Sequence, residues 1–162
     1  MAACDDVSMR EEGHLDGCGC RECLVGLFEN ACLAGNFLEA TRFDHAFGIH
    51  KREIKMAGNE SEEGLLFLIC ESWKCGKLIK WFIERFDFSK AEVMSENVLQ
   101  WACVHEDLEV LKWVANRFQL SVEDIHANDE ALLIACANGS DELSRWMAER
   151  FHISEGGAAA MY

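Results

Sequence analysis

The sequence lacks any apolar run long enough to span a membrane. Its N-terminus carries acidic residues where a secretory signal would need an apolar core. We therefore expect an intracellular protein, cytoplasmic in the simplest case, with no membrane segment. Half of the 162 residues are hydrophobic, which argues against a globally disordered chain.

Catalytic signatures are also missing. The chain has no phosphate-binding GxxxxGK[ST] loop, no dinucleotide-binding GxGxxG, no HExxH and no GxSxG. Its downstream histidines fall at positions unrelated to one another: His45, His50, His105, His126 and His152. We therefore predict a protein that is not an enzyme and that needs no cofactor.

Basic residues are scarce, since 15 Lys and Arg stand against 29 Asp and Glu and give a formal net charge of -14. A chain this acidic repels phosphate backbones, so nucleic acid is not an expected partner. A protein partner with a basic surface is the better expectation.

The nine cysteines are odd in number and four of them recur with the repeat, which suits a reducing compartment better than a disulfide framework. An exception is the N-terminal set of His14, Cys18, Cys20 and Cys23, because thiolates and an imidazole could hold a tetrahedral zinc ion. Known zinc modules place two ligand pairs on separate turns, whereas these four residues crowd into ten positions. We favour ordinary thiols on an acidic tail, residues 1–21, over a zinc site.

What the chain does contain is a repeated segment. Residues 101–121, WACVHEDLEVLKWVANRFQLS, recur as residues 134–154, IACANGSDELSRWMAERFHIS, with matched residues 33 positions apart. Cys70 belongs to a copy one step upstream, and Cys32 belongs to an earlier, irregular copy with an insertion within residues 55–64. A period of this size with two amphipathic stretches per copy indicates a helical solenoid over residues 22–154. Residues 155–162 then form a C-terminal tail.

The best-preserved copy resembles an ankyrin repeat. Residues 131–139, ALLIACANG, are similar to the family's TPLHxAAxxG stretch, and residues 141–147 stand where the family has its LEVVKLL helix. The third unit matches that helix more closely, with LEVLKW at residues 108–113. The Thr-Pro pair is absent, since the chain has no proline, and Phe151 stands where the family has a helix-ending Gly. A Trp followed by Arg-Phe in the second helix is similar to divergent arrays of large DNA viruses and protists. For a viral protein, the location would be the host cytoplasm or the virion.

The resemblance implies an all-α, helical-repeat solenoid of about four two-helix units. Ankyrin repeats usually have a β-hairpin between units. Here Ser89-Lys90-Ala91-Glu92 fits a helix capping box, and the segment from Ser121 to Asp124 is a looser version. We therefore predict little or no strand.

Two residue types are predicted in the core. Small cysteines in the first helices let adjacent repeats approach closely, and large aromatics in the second helices stabilise the stack when buried. The cysteines are Cys32, Cys70, Cys103 and Cys136, and the tryptophans are Trp81, Trp113 and Trp146. Trp73 and Trp101 lie off this register.

The fold implies a non-enzymatic protein–protein interaction module that binds its partner on the concave repeat face. Repeat phase predicts these contact residues: Glu71, Ser72, Val104, His105, Ala137, Asn138, Glu96, Asn97, Asp129 and Glu130. Lys74, Lys77 and Lys80 indicate a solvated face or, alternatively, a docking patch for an acidic segment. Two other functions stay open, a structural component of a larger assembly such as a virion, and a zinc-stabilised adaptor using the N-terminal Cys cluster.

Overall fold

The computed structural model describes residues 19–54, 64–72, 74–126 and 141–151. Within these ranges the chain forms nine α-helices and one 3-10 turn (Lys51–Glu53), and no β-strand. The helices are α1 (Arg21–Leu33), α2 (Phe37–Phe47), α3 (Leu65–Ser72), α4 (Gly76–Arg85), α5 (Lys90–Ser95), α6 (Val98–Val104), α7 (Leu108–Arg117), α8 (Val122–His126) and α9 (Asp141–Phe151). The all-α prediction is confirmed for this part of the chain. None of these helices has both the length and the apolar character needed to cross a membrane.

The helices of successive sequence copies pack as pairs. In unit 1, α1 packs on α2; in unit 2, α3 packs on α4; and in unit 3, α6 packs on α7. The first helices of neighbouring units also contact one another, α3 lying against both α1 and α6, while α4 lies against α7. By the sequence period, α9 is the second helix of unit 4. The short helices α5 and α8 occupy the linkers after units 2 and 3.

One residue both ends the first helix of a pair and starts the second. The Asn36 N–H donates to the Ala31 carbonyl at 2.9 Å, and the Asn36 side chain accepts from the Glu39 N–H at 3.2 Å. Asp107 has the same two roles between α6 and α7. The residue before each has a left-handed backbone, with φ of 70° and 53°, as this type of helix ending requires. Two helices can thereby be joined by a turn of three residues, which fixes the hairpin.

The core contains the predicted cysteines that the structure describes. Cys32, Cys70 and Cys103 are each 0% exposed, which confirms their place between the helices. The repeated tryptophans are only half-buried and line the edge of this core. Each packs edge-on against the Phe five residues later, in the pairs Trp81–Phe86, Trp113–Phe118 and Trp146–Phe151, with ring centroids 6.3, 6.5 and 5.9 Å apart.

The Arg before each of these Phe residues lies over the same ring, with its guanidinium carbon 5.1, 5.6 and 5.3 Å from the ring centre in units 2, 3 and 4. A Trp–Arg–Phe arrangement of one geometry therefore recurs in three sequence copies. Several predicted features lie outside the described residues: Cys136, Trp73, the first helix of unit 4 and the C-terminal tail. Of the predicted N-terminal tail, only Gly19 to Arg21 are described.

Candidate protein-binding face and the linker ladder

Helices α3 and α6 carry exposed residues at equivalent repeat positions. Glu71 and Val104 are 33 residues apart and both are exposed, with Val104 at 36%. His105 is exposed, whereas its equivalent, Ser72, is half-buried and donates its hydroxyl to a carbonyl of its own helix at 2.9 Å. We call the surface formed by Glu71, Ser72, Trp101, Val104 and His105 the first-helix face.

Trp101 is the large aromatic residue of the first-helix face. Its half-buried ring lies edge-on to Phe67 of α3, with centroids 5.7 Å apart and an angle of 77°. The His105 ring stacks on it at 5.9 Å and 24°. The Trp101 Nε1 is buried and has no hydrogen-bond acceptor among the described residues, which is unusual for a buried donor. Tryptophan at an accessible surface is a frequent anchor of protein interfaces.

The charges of the first-helix face have one sign. Neither α3 nor α6 contains a Lys or Arg, and α3 carries the exposed carboxylate of Glu71. The neighbouring second helices, α4 and α7, carry five basic residues: Lys77, Lys80, Arg85, Lys112 and Arg117. Lys74 is exposed in the turn between α3 and α4. A basic partner would therefore be attracted to the first helices more than to the second helices.

Two of the three lysines predicted as a solvated face or docking patch also contact neighbouring units. The Lys77 Nζ lies 4.4 Å from the centre of the Phe37 ring in α2. The Lys80 Nζ pairs with Glu109 of α7 at 3.0 Å. Lys74 and Lys77 are exposed, as a solvated face requires, and the docking interpretation stays a prediction.

The other predicted contact residues divide into three groups. Asn97 is half-buried in the turn before α6, with a φ of 55°. The prediction for Glu96 is wrong, since this residue is 1% exposed and its carboxylate accepts from the Phe67 N–H at 3.0 Å. The residue before α3 is Gly64, which has no side chain to cap the helix, so the linker carboxylate does so instead. Ala137, Asn138, Asp129 and Glu130 lie outside the described residues.

Three ion pairs follow the linkers, and we call them the linker ladder. Each joins a base to the acid that closes a helix start: Arg21–Glu53 at 2.5 Å, Lys51–Glu92 at 2.8 Å and Lys90–Asp124 at 2.5 Å. Glu92 and Asp124 are the acids of the two predicted capping boxes, and both boxes are present in the structure. Lys51 and Lys90 each follow directly after a cap residue and reach forward into the next linker.

The first rung of the ladder starts at Arg21, the first residue of α1. Arg21 donates to the Phe47 and Gly48 carbonyls at 2.5 and 2.9 Å, in addition to its pair with Glu53. Lys51 likewise donates to the carbonyl of Asp87, the residue equivalent to Gly48, at 3.1 Å. Arg21 therefore makes the same kind of contacts at the end of unit 1 that Lys51 makes at the end of unit 2.

The ladder lowers the pKa of its carboxyl groups. Hydrogen bonds from Arg21 and from the His50 amide hold the pKa of Glu53 at about 2. Lys51 and the Ser89 amide hold the pKa of Glu92 at about 2. Lys90, followed by the Ser121 amide, lowers the pKa of Asp124 below its usual range. All three carboxylates are therefore ionised at neutral pH.

A separate, more deeply placed pair joins units 1 and 2. Asp44 of α2 is 8% exposed and accepts two hydrogen bonds from the Arg85 guanidinium, at 2.6 and 2.8 Å. The same guanidinium donates to the Ile49 carbonyl at 3.2 Å. The bidentate geometry and the third bond satisfy the buried carboxylate.

The buried core thiols stay protonated and therefore unreactive. Burial raises the pKa of Cys32 to about 12, and burial likewise raises the pKa of Cys70. The described residues include no group of three or more His, Cys, Asp or Glu side chains that could hold a metal ion. Of the predicted zinc set, Cys20 and Cys23 lie half-buried at the start of α1, and His14 and Cys18 lie outside the described residues.

No family model, no curated protein and no solved structure matches this chain. The ankyrin resemblance therefore stays a prediction carried by the residues quoted above.

Proposed function

We propose that this chain is a non-enzymatic protein-binding module, built as a divergent ankyrin-like solenoid, that holds a basic partner protein on its first-helix face. The observation that carries the proposal is the set of exposed residues around Trp101, on two helices that contain no Lys or Arg. Interfaces favour a central aromatic surrounded by residues that exclude water. Glu71 supplies the negative charge for a basic partner, and the net charge of -14 would speed its approach.

The second helices are a poorer candidate for the same role. Lys77 and Lys80 are held by neighbouring units, and Arg85 is bonded to Asp44. The remaining bases of α7 would repel a basic partner. The first-helix face is the described surface on which aromatic area, exposure and charge agree.

The test compares two variants that introduce the same residue on the two helices of unit 3. Val104→Arg places a bulky cation at the centre of the first-helix face, whereas Asn116→Arg places one on the exposed side of α7. Tagged wild type and both variants are used to capture proteins from lysate of the source or its host, followed by quantitative mass spectrometry.

We expect a partner that wild type and the Asn116 variant retain and that the Val104 variant loses by about tenfold or more, as for a change at the centre of an interface. The proposal is wrong if the Val104 variant captures every such protein as well as wild type does. Circular dichroism of the variants checks that each is folded.

Two alternatives give different results in the same preparation. An assembly component would self-associate, so light scattering at increasing concentration would show oligomers where a binding module stays monomeric. A zinc-stabilised adaptor would retain about one zinc ion per chain after purification without chelator. Metal analysis by mass spectrometry decides that point.

A further inference from the structure

Two of the chain's cysteines occupy one turn at the start of a helix. Cys20 is the N-cap residue of α1, and Cys23 is the third residue of that helix. The Leu24 N–H donates to the Cys20 carbonyl at 3.1 Å, so the turn that joins the two cysteines is already helical. Both residues are half-buried.

The position suits thiol–disulfide chemistry. Residues three apart in a helical turn have Cα atoms about 5 Å apart, within the range that a disulfide spans. The N-terminal end of a helix stabilises a thiolate, which is the reactive form. Cys32 and Cys70 contrast with this pair, since burial raises the pKa of both and keeps them protonated.

We propose that Cys20 and Cys23 are a redox-active dithiol that a low-molecular-weight disulfide, such as glutathione disulfide, oxidises reversibly. One cysteine thiolate attacks the glutathione disulfide, forms a mixed disulfide and releases one glutathione thiolate. The second cysteine thiolate then attacks the protein sulfur of that mixed disulfide and releases the second glutathione thiolate. The protein loses two electrons and two protons, and two molecules of glutathione are formed.

The dithiol is linked to the first rung of the linker ladder. Arg21 lies between the two cysteines and holds the end of α2 through the Phe47 and Gly48 carbonyls and through Glu53. A disulfide would restrain the turn that carries Arg21. We therefore expect slower hydrogen exchange at the Leu24 amide in the oxidised form than in the reduced form.

The chain provides its own control in Cys75. This residue is the N-cap of α4 and is half-buried like the pair. The third residue of α4 is Leu78, so no second thiol lies in that turn. Cys75 therefore shares the helix-start environment of Cys20 and lacks its C-x-x-C partner.

The experiment equilibrates the full chain in glutathione buffers, quenches with acid, alkylates the thiols and maps every cysteine by mass spectrometry. We expect a Cys20–Cys23 disulfide, and we expect two molecules of reduced glutathione to be released for each disulfide formed. The buffer is then diluted tenfold at a fixed ratio of reduced to oxidised glutathione. By mass action, this dilution raises the ratio of disulfide to dithiol for the Cys20–Cys23 pair about tenfold. Cys75 should give only a glutathione adduct, whose ratio does not change on dilution.

The mapping uses the wild-type chain and does not depend on the folding of any variant. In addition, Cys23→Ser should make Cys20 behave as Cys75 does. The proposal is overturned if Cys20 and Cys23 are recovered only as separate glutathione adducts, if either pairs with Cys18 instead, or if bound zinc protects both from oxidation.

Discussion

At the scale of the residue, the backbone is strained where a residue other than glycine has a left-handed conformation. Asp87, Asn97, Glu106 and Gln119 have positive φ values of 49° to 55° among the described residues. Glu106 occupies the place of Gly35 in unit 1, directly before the residue that joins the two helices. The hairpin needs this conformation, and only glycine adopts it without a steric cost.

Glu106→Gly should therefore raise the free energy of unfolding by about 1 kcal/mol, measured by urea denaturation. Glu106→Gln is the matched control, since it removes the same charge and keeps the Cβ atom. If Gln stabilises as much as Gly, the effect is one of charge and not of backbone strain.

The reverse change, Gly35→Ala, should destabilise the protein. Its added Cβ would lie 2.5 Å from the Lys74 Cβ, at a φ of 70°. Both the backbone conformation and the close contact oppose the substitution, so the loss should exceed the gain from Glu106→Gly. An unchanged urea midpoint for Gly35→Ala would show that this turn has room to relax.

Glu96 gives a second prediction at this scale. Glu96→Ala leaves the part-buried Phe67 N–H without its acceptor, and we expect a loss of about 1 kcal/mol in unfolding free energy. Glu84→Ala, on the exposed side of α4, should change it by less than about 0.5 kcal/mol. Equal effects of the two substitutions would mean that the capping bond contributes nothing to stability.

At the scale of the element, the linker ladder combines a local and a distant interaction. The pattern Ser-x-x-Glu predicts the local capping box, because both partners lie within one turn. It does not predict that Lys51 reaches Glu92, since these residues are 41 positions apart. Only the alignment of units brings the base after one cap beside the acid of the next, and that alignment is a property of the fold.

The ladder should make stability depend on pH under acidic conditions. The folded-state pKa of Glu53 and Glu92 is about 2, below the value of about 4.3 for an unfolded glutamate. The stabilisation is therefore complete above that unfolded value and is lost as the pH falls from there toward 2. Urea midpoints measured at several pH values between these limits should become lower as the pH is lowered.

Glu92→Gln should remove part of this pH dependence, because the amide does not titrate. Glu84→Gln is the control on the exposed side of α4 and should leave the dependence as in wild type. A double-mutant cycle of Lys51→Met and Glu92→Gln should give a coupling of about 0.5–1 kcal/mol, in the range of partly exposed pairs. If Glu92→Gln leaves the slope unchanged, the ladder does not determine acid stability.

At the scale of the whole molecule, the 33-residue period predicts which residues meet and does not predict how exposed they are. Cys32, Cys70 and Cys103 were placed correctly because a small apolar residue in the middle of a first helix has one suitable environment. The repeated tryptophans were expected inside and lie at the edge, since a long side chain can reach the core from a peripheral position. Glu96 was expected at the surface because repeat phase carries no information about a missing cap at Gly64.

The aromatic cluster between units 1 and 2 allows the stacking itself to be tested. Phe28 of α1 is 0% exposed, and its ring lies 6.3 Å from Phe82 and 5.8 Å from Phe86 of unit 2. Phe28→Ala should lower the unfolding free energy by about 3–5 kcal/mol, as expected for a large cavity. Leu38→Ala, at a side chain that is 76% exposed, is the control and should have little effect.

If the units form a stack in which each contacts only its neighbours, the Phe28 substitution should also change how the chain unfolds. Unit 1 would lose the Phe28 contacts with unit 2 and melt first, so that circular dichroism and tryptophan fluorescence report different urea transitions. Because Trp81 contacts Phe37 of unit 1, the test uses a Trp81→Phe background. The other described tryptophans lie in units 3 and 4, so their fluorescence would follow the later transition while circular dichroism follows both. Coincident transitions with an unchanged slope would indicate one cooperative globule and would contradict the solenoid proposal.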